Sequence, residues 1–177
     1  MKKFLILTLA AALLCGFALP VLAQEEEPPV LKVGDQMADF NLKEAIMGRD
    51  VSFSKDFKGK AKMTAVVFMN TGCSACLAEL QEVNEAVATL GKDTLQAVAI
   101  AVDKRGEAVV KAYNETHKFD VTYLLDTEFT LPPMYGFSYT PAMIIVDKKG
   151  SIVYAKGGYN PHRDKGKVAE KLKELAK

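Results

Sequence analysis

Two short, almost unbroken apolar runs organise the chain. Thr64-Ala65-Val66-Val67-Phe68-Met69 and Leu95-Gln96-Ala97-Val98-Ala99-Ile100-Ala101-Val102 predict strands buried within a sheet. Between them, Cys73 to Leu90 carries apolar residues at helical spacing, and Gly91 stops the helix. Glu107 to Lys118 is helical by the same criterion, with Val109, Val110, Tyr113 and His117 in phase. Tyr123-Leu124-Leu125 reads as a short strand closed by Asp126. Phe129 to Tyr135 is weakly helical or irregular, interrupted by Pro132-Pro133.

Ala142 to Val146 predicts a strand, Asp147-Lys148-Lys149-Gly150 a hairpin turn, and Ser151 to Ala155 the return strand. Val168 to Ala176 closes the chain as an amphipathic helix. Upstream, Asp39-Phe40-Asn41-Leu42 and Val51-Ser52-Phe53 alternate apolar and polar around Met47-Gly48-Arg49-Asp50, which predicts an N-terminal hairpin. Strands alternating with helices imply an α/β domain: one central mixed sheet with helices on both faces. No internal repeat and no second domain is evident.

The first residues obey a different pattern. Met1-Lys2-Lys3 is a short basic start, followed by an apolar stretch from Phe4 to Leu19. Val21-Leu22-Ala23 supplies the small-residue site of a signal peptidase, so residues 1–23 read as an export signal cleaved before Gln24. The competing reading is an uncleaved anchor, since Phe4 to Ala23 is long enough to span a bilayer. Lipid attachment at Cys15 is disfavoured because Leu14, directly before it, is not small. Residues 24–29, Gln-Glu-Glu-Glu-Pro-Pro, form a polar linker, and the folded domain is expected over 30–177. The expected compartment is the periplasm.

Charge narrows little. The 177 residues carry 23 basic and 22 acidic side chains, and without Lys2 and Lys3 the balance is near −1. No long charged block argues for nucleic acid, and a monomer is expected. Cysteine usage narrows more. Of Cys15, Cys73 and Cys76, only the last two belong to the mature domain. One vicinal pair in an exported domain is not a disulfide scaffold.

Cys73-Ser74-Ala75-Cys76 lies between the buried strand and the long helix, after the turn Asn70-Thr71-Gly72. At a helix N-terminus, unpaired backbone N–H groups and the helix dipole favour a thiolate, so Cys73 is expected to have a depressed pKa. Taking Cys76 as zero at 100° per residue, Leu80, Val83, Val87 and Leu90 fall within about 40° of it, which turns Cys76 toward the core. Gln81, Glu82 and Glu85 fall on the opposite face, expected to be solvated. Glu79 lies about 60° from Cys76 at the edge of the apolar stripe, where a half-desolvated carboxyl would have a raised pKa and could exchange protons with Cys76. The alternative is an ordinary helix-edge glutamate whose tip reaches water.

The pair implies thiol–disulfide exchange. Cys73 attacks a substrate disulfide, and Cys76 resolves the mixed disulfide. Tyr139-Thr140-Pro141 precedes the strand from Ala142, about 65 residues after the cysteines. A cis Thr140–Pro141 bond there would expose the Thr140 backbone to an extended substrate segment. Tyr135-Gly136-Phe137-Ser138-Tyr139 either lines that groove or packs beneath it.

With these motifs in order, the span from about Val33 to the C-terminus resembles the thioredoxin superfamily, in particular its exported TlpA/ResA-like thiol–disulfide oxidoreductases. The resemblance rests on Gly34-Asp35 with Phe40 and Leu42, Cys73-Ser74-Ala75-Cys76 with Glu79, and Asp126 with Tyr135-Gly136. It rests further on Tyr139-Thr140-Pro141 and on Ile145-Val146-Asp147 through Lys149-Gly150 and Ile152-Val153. It implies a thioredoxin-like fold with an N-terminal β-hairpin extension and a central insertion at about Gly106 to Tyr123. It also implies that Cys73 is the nucleophile, Cys76 the resolving thiol, Glu79 the tuning carboxylate and Pro141 the cis-proline.

The reducing direction, with cytochrome c maturation as an example, follows from the resemblance. So does a membrane-linked dithiol electron donor, with no organic cofactor beyond the redox-active disulfide. The chain departs from the family pattern in having no Trp before Cys73 and Ala75 in place of a Pro.

Two other readings compete. A peroxiredoxin-like peroxidase would place a Thr three residues before the cysteine and a Pro further upstream, whereas Thr71 stands two before and no Pro precedes it. Soft-metal (copper) binding would use Cys73 and Cys76, but His117 reads as a packing residue and His162 as part of the start of the last helix. Met63, Met69, Met134 and Met143 read as core filler.

Overall fold

The computed structural model describes residues 30–177. The proposed signal, Cys15 and the linker 24–29 lie outside the described residues. A seven-stranded mixed sheet forms the centre. Its strands are β1 (Asn41–Glu44), β2 (Asp50–Ser52), β3 (Met63–Met69), β4 (Leu95–Ala101), β5 (Thr122–Leu125), β6 (Ala142–Asp147) and β7 (Ile152–Gly157). They lie in the order β2-β1-β5-β4-β3-β6-β7.

The apolar runs explain the middle of this order. All seven residues of β3 are buried, because β4 pairs with it in parallel on one side and β6 antiparallel on the other. Parallel neighbours need long crossovers. Helix α2 (Ser74–Leu90) joins β3 to β4, and α3 (Glu107–His117) joins β4 to β5. The fold is thioredoxin-like, and the N-terminal hairpin extends the sheet beyond β5, to which β1 pairs antiparallel.

The two faces are covered unequally. Alternate β3 residues Ala65, Val67 and Met69 join Leu80 and Val83 of α2, Val110 and Tyr113 of α3, and Val168 and Leu172 of α4 (Lys167–Leu175). Val66 and Phe68 point the other way. They meet Met37, Phe40, Phe53 and Phe57 from the N-terminal segment and the short helix α1 (Phe53–Asp56), and Tyr135 from the 3-10 turn Pro132–Tyr135. The three long helices therefore share one face. Of the methionines, Met63, Met69 and Met143 are buried in the first cluster, and Met134 packs on the second.

Several boundaries differ from expectation. The hairpin strands are Asn41–Glu44 and Asp50–Ser52, and Phe53 opens α1 instead of ending a strand. The alternation of Val51 and Phe53 continues through α1 because both bury one side chain on the same core. Pro132-Pro133 does not interrupt a helix; it starts one, since a proline at the first positions of a helical turn loses no hydrogen bond. His162 sits in the turn before α4, which begins at Lys167. Among the described residues no helix is long and apolar enough to cross a membrane.

Candidate active site

The site lies where β3 ends. Asn70-Thr71-Gly72 turns the chain, with the Cys73 N–H donating to the Asn70 carbonyl (3.0 Å) and the Gly72 N–H to Asn70 Oδ1 (2.9 Å). Cys73 is the N-cap residue of α2, extended at φ −95°, and its Sγ accepts from the Cys76 N–H at 3.1 Å. Cys73 and Cys76 are joined in a disulfide with a Cα–Cα distance of 5.2 Å. The two sulfurs are unequal in access: Cys76 is 0% exposed, whereas Cys73 lines an open groove. That asymmetry is what separates an attacking thiol from a resolving one.

The sheet register completes the groove. β6 runs antiparallel to β3 with Ala142 opposite Phe68, so the residues just before β6 arrive beside the end of β3. The Thr140–Pro141 peptide is cis, and the Pro141 carbonyl accepts from the Gly158 N–H at 2.7 Å. Thr140 and Tyr139 line the groove with Asn70, Gly72, Cys73, Val102 and Phe129.

The aromatic run divides between its two expected roles. Tyr135 and Phe137 pack against Phe68 from beneath, while Tyr139 is 59% exposed at the groove. Gly157 and Gly158 provide the floor for that ring, since a Cβ on either would lie 3.4 Å from Tyr139 atoms.

Glu79 departs from the helix-edge picture. It is 0% exposed, not half-desolvated: α4 packs on α2, and the charges of Lys156 and Asp164 lie near enough to act on its carboxyl. Neither carboxylate oxygen has a hydrogen-bond partner among the described residues. Burial pushes its pKa up to about 8, opposed by the Lys156 charge and aided by Glu82 and Asp164. One helical turn from Cys76, on the same buried face, lies a carboxyl that changes protonation near neutral pH.

Glu82 corrects the expected solvated face outright. It is buried, and its carboxylate accepts from Tyr159 Oη (2.6 Å) and from the backbone N–H groups of Gly166 (2.6 Å), Val168 (3.1 Å) and Ala169 (3.3 Å). Helix α4 thus docks its N-terminus on a carboxylate of α2. Gln81 and Glu85 remain exposed as expected.

Two groups that local pattern did not mark stand beside the thiols. Asp103, at the end of β4, is buried, and its carboxylate accepts from Arg105 and from the Thr71 hydroxyl. Those bonds, Arg105's first, hold its pKa well below the usual carboxylate range. Phe129 lines the groove at φ +58°, a left-handed conformation rare for a bulky residue. Asp126 frames that turn. Its carbonyl accepts from the Phe129 N–H, and its carboxylate accepts from Thr130 and Leu131. Asp126 is among the residues that carry the family resemblance, whereas only a scan for buried carboxylates at strand ends would have found Asp103.

Of the histidines, His117 stacks on Phe119 and packs at a tilt against Tyr113, and His162 lies exposed in its turn. Among the described residues, no three His, Cys, Asp or Glu side chains are grouped to share a metal ion. What the arrangement can do chemically is oxidoreductase work: a dithiol–disulfide couple with one accessible sulfur, one sealed sulfur and a buried carboxyl of raised pKa one helical turn away.

Solved structures agree on the fold. A putative thiol:disulfide interchange protein DsbE from Chlorobium tepidum superposes with a TM-score of 0.72 at 20% identity, covering 83% of this chain and 99% of that one. StoA from Bacillus subtilis gives 0.60 at 24% identity over 80% and 98%. An uncharacterized thioredoxin-like protein from Porphyromonas gingivalis gives 0.65 at 27% identity over 82% and 94%. Comparison with curated proteins finds no match. The AhpC/TSA family model matches residues 33–155, from the segment before β1 into β7 and through both cysteines, and the chain belongs to the AhpC/TSA family of thioredoxin-like proteins.

Proposed function

We propose that this protein is an exported thiol–disulfide oxidoreductase that reduces disulfides in protein substrates. The observation that carries the reading is the Cys73–Cys76 disulfide, with Cys73 open to a groove at a helix N-terminus and Cys76 sealed behind it.

In the reduced protein, the Cys76 N–H and the α2 dipole favour a Cys73 thiolate. A substrate backbone laid along Thr140 presents its disulfide to Cys73. The Cys73–substrate S–S bond forms, the substrate disulfide breaks, and the leaving sulfur takes a proton. Cys76 then gives its proton to Glu79 in the fraction of molecules where that carboxyl is ionised, a fraction that grows as pH approaches 8, and attacks Cys73 Sγ. The Cys73–Cys76 bond forms, and the second substrate sulfur leaves as a thiol after protonation. Two electrons and two protons pass to the substrate.

Return to the dithiol needs a two-electron dithiol donor, assigned here to a membrane-linked carrier. The periplasm is the proposed compartment, on the strength of the leader at residues 1–23. Reduction of an apocytochrome c disulfide to its two thiols is an example of the task, supported by the family resemblance; the name of the Chlorobium neighbour supports disulfide interchange.

The AhpC/TSA match keeps a peroxidase in view, but there a threonine hydroxyl must serve the attacking thiol. Thr71's hydroxyl is instead engaged by Asp103 and Arg105.

The test is trapping. Cys76→Ser, reacted with a disulfide-containing protein such as insulin, should accumulate a mixed disulfide through Cys73 that dithiothreitol releases. Cys73→Ser should accumulate none. If Cys76→Ser forms no adduct while the wild type consumes hydrogen peroxide through a Cys73 sulfenate, the peroxidase reading replaces this one.

A further inference from the structure

Directly before Cys73 sits a polar cluster that the exchange chemistry above does not use. Asp103 is 3% exposed in its side chain and Arg105 60% exposed. All four hydrogen bonds the Asp103 carboxylate can readily accept are filled. Oδ1 takes the Arg105 backbone N–H (3.2 Å) and Nε (2.8 Å), and Oδ2 takes Arg105 Nη2 (2.7 Å) and the Thr71 hydroxyl. Arg105 Nη2 also donates to Thr71 Oγ1 at 2.8 Å. The Thr71 hydroxyl is therefore held from both sides by residues 32 and 34 positions further along the chain.

Among the described residues, the rest of the turn is tied only to itself or to the strands. Asn70 Oδ1 caps Gly72, the Asn70 carbonyl takes the Cys73 N–H, and the Met69 carbonyl takes the Val102 N–H. Among the described residues, every side-chain hydrogen bond that leaves the 70–72 turn for another element runs through Thr71. Gly72 fits the same arrangement. A Cβ there would lie 3.4 Å from Asn70 Oδ1 and 4.0 Å from Arg105 Nη2, so a longer side chain would reach into the space the guanidinium holds.

We propose that Thr71, Asp103 and Arg105 form a latch that fixes the turn before the nucleophile and holds Cys73 at the N-terminus of α2. They are positioning residues for the thiol exchange and take no part in bond making. The proposal deepens the exchange reading and rests on it for its purpose. A buried, fully bonded carboxylate costs little to keep ionised and much to leave unpaired, so the cluster is stiff. Releasing it lets the turn move and takes Cys73 Sγ away from the Cys76 N–H that stabilises its anion. The other ionisable groups around Cys73 are Tyr139 across the groove and Glu79 behind Cys76.

The test is the pH profile of iodoacetamide alkylation at Cys73 in the reduced full-length protein. Thr71→Val keeps the shape and removes the hydroxyl; Thr71→Ser keeps the hydroxyl. Thr71→Val should move the midpoint of the profile upward and slow alkylation at pH 7 by about 3- to 10-fold, the rate equivalent of one hydrogen bond, while Thr71→Ser stays near wild type. Arg105→Ala, which removes the guanidinium bonds to Asp103 and to Thr71 while leaving the Thr71 hydroxyl in place, should shift the profile the same way and serves if Thr71→Val fails to fold. A wild-type profile in Thr71→Val, or in Arg105→Ala where Thr71→Val does not fold, overturns the latch. Alkylation does not require exchange with a protein disulfide, so that result would leave the exchange reading standing, and failure of the trapping experiment would leave the latch standing.

Discussion

Glu82 and Tyr159, 77 positions apart, meet in a buried 2.6 Å hydrogen bond from the tyrosine hydroxyl to Oε1. The same carboxylate receives the backbone N–H groups at the start of α4, so one side chain fastens the C-terminal helix to the active-site helix. Glu82→Ala should lose about 2 to 4 kcal/mol, because it orphans a buried hydroxyl and the helix N-terminus together. Tyr159→Phe should lose about 1 kcal/mol. Urea midpoints of the oxidised forms check both, and equal losses would contradict the shared role.

Glu82 also marks where the sequence stopped being legible. A helical wheel assigns one inside face to α2, and Cys76, Leu80, Val83 and Val87 are buried where it puts them. It cannot register that α4, more than 80 residues on, covers a second face, so Glu82 reads as solvated and Glu79 as half-exposed. The same limit hid the latch: Asp103 and Arg105 look like an ordinary polar turn until β4 brings them beside Thr71. The strands β3, β4 and β6 were readable because burial on both faces leaves an unbroken apolar run. The first hairpin strand lies two residues later than its alternation suggested, and the second ends one residue earlier because alternation does not distinguish a strand end from the first turn of α1.

The pKa of Glu79, raised to about 8, sets a pH dependence of stability. Below about pH 4.5 the carboxyl is protonated in both folded and unfolded chains, and burial carries no ionisation penalty. Between that value and about 8 the unfolded chain has lost the proton and the folded one keeps it. Stability therefore falls with rising pH, by at most about 1.4 kcal/mol per unit, and levels off above 8. Glu79→Gln should abolish this component. Denaturant midpoints of the oxidised protein at pH 5 and pH 8.5 should diverge for the wild type and converge for the variant; parallel behaviour would contradict the assignment.

Tyr139 stands exposed at the groove on a floor of Gly157 and Gly158. Tyr139→Ala should leave the melting temperature within a degree or two, since an exposed ring contributes little to the core. It should raise KM for a protein disulfide by about 3- to 10-fold, with kcat and the reaction with dithiothreitol nearly unchanged. A fall in kcat at constant KM would place the ring in the chemistry instead.

The central claim is a reversible Cys73–Cys76 couple poised to reduce, and its reduction potential tests that most directly. Equilibrating the protein in dithiothreitol or glutathione buffers and counting free thiols should give a single two-electron transition near or below about −270 mV. A transition near about −120 mV would make the protein a disulfide donor and contradict the direction, and no reversible transition would contradict exchange itself.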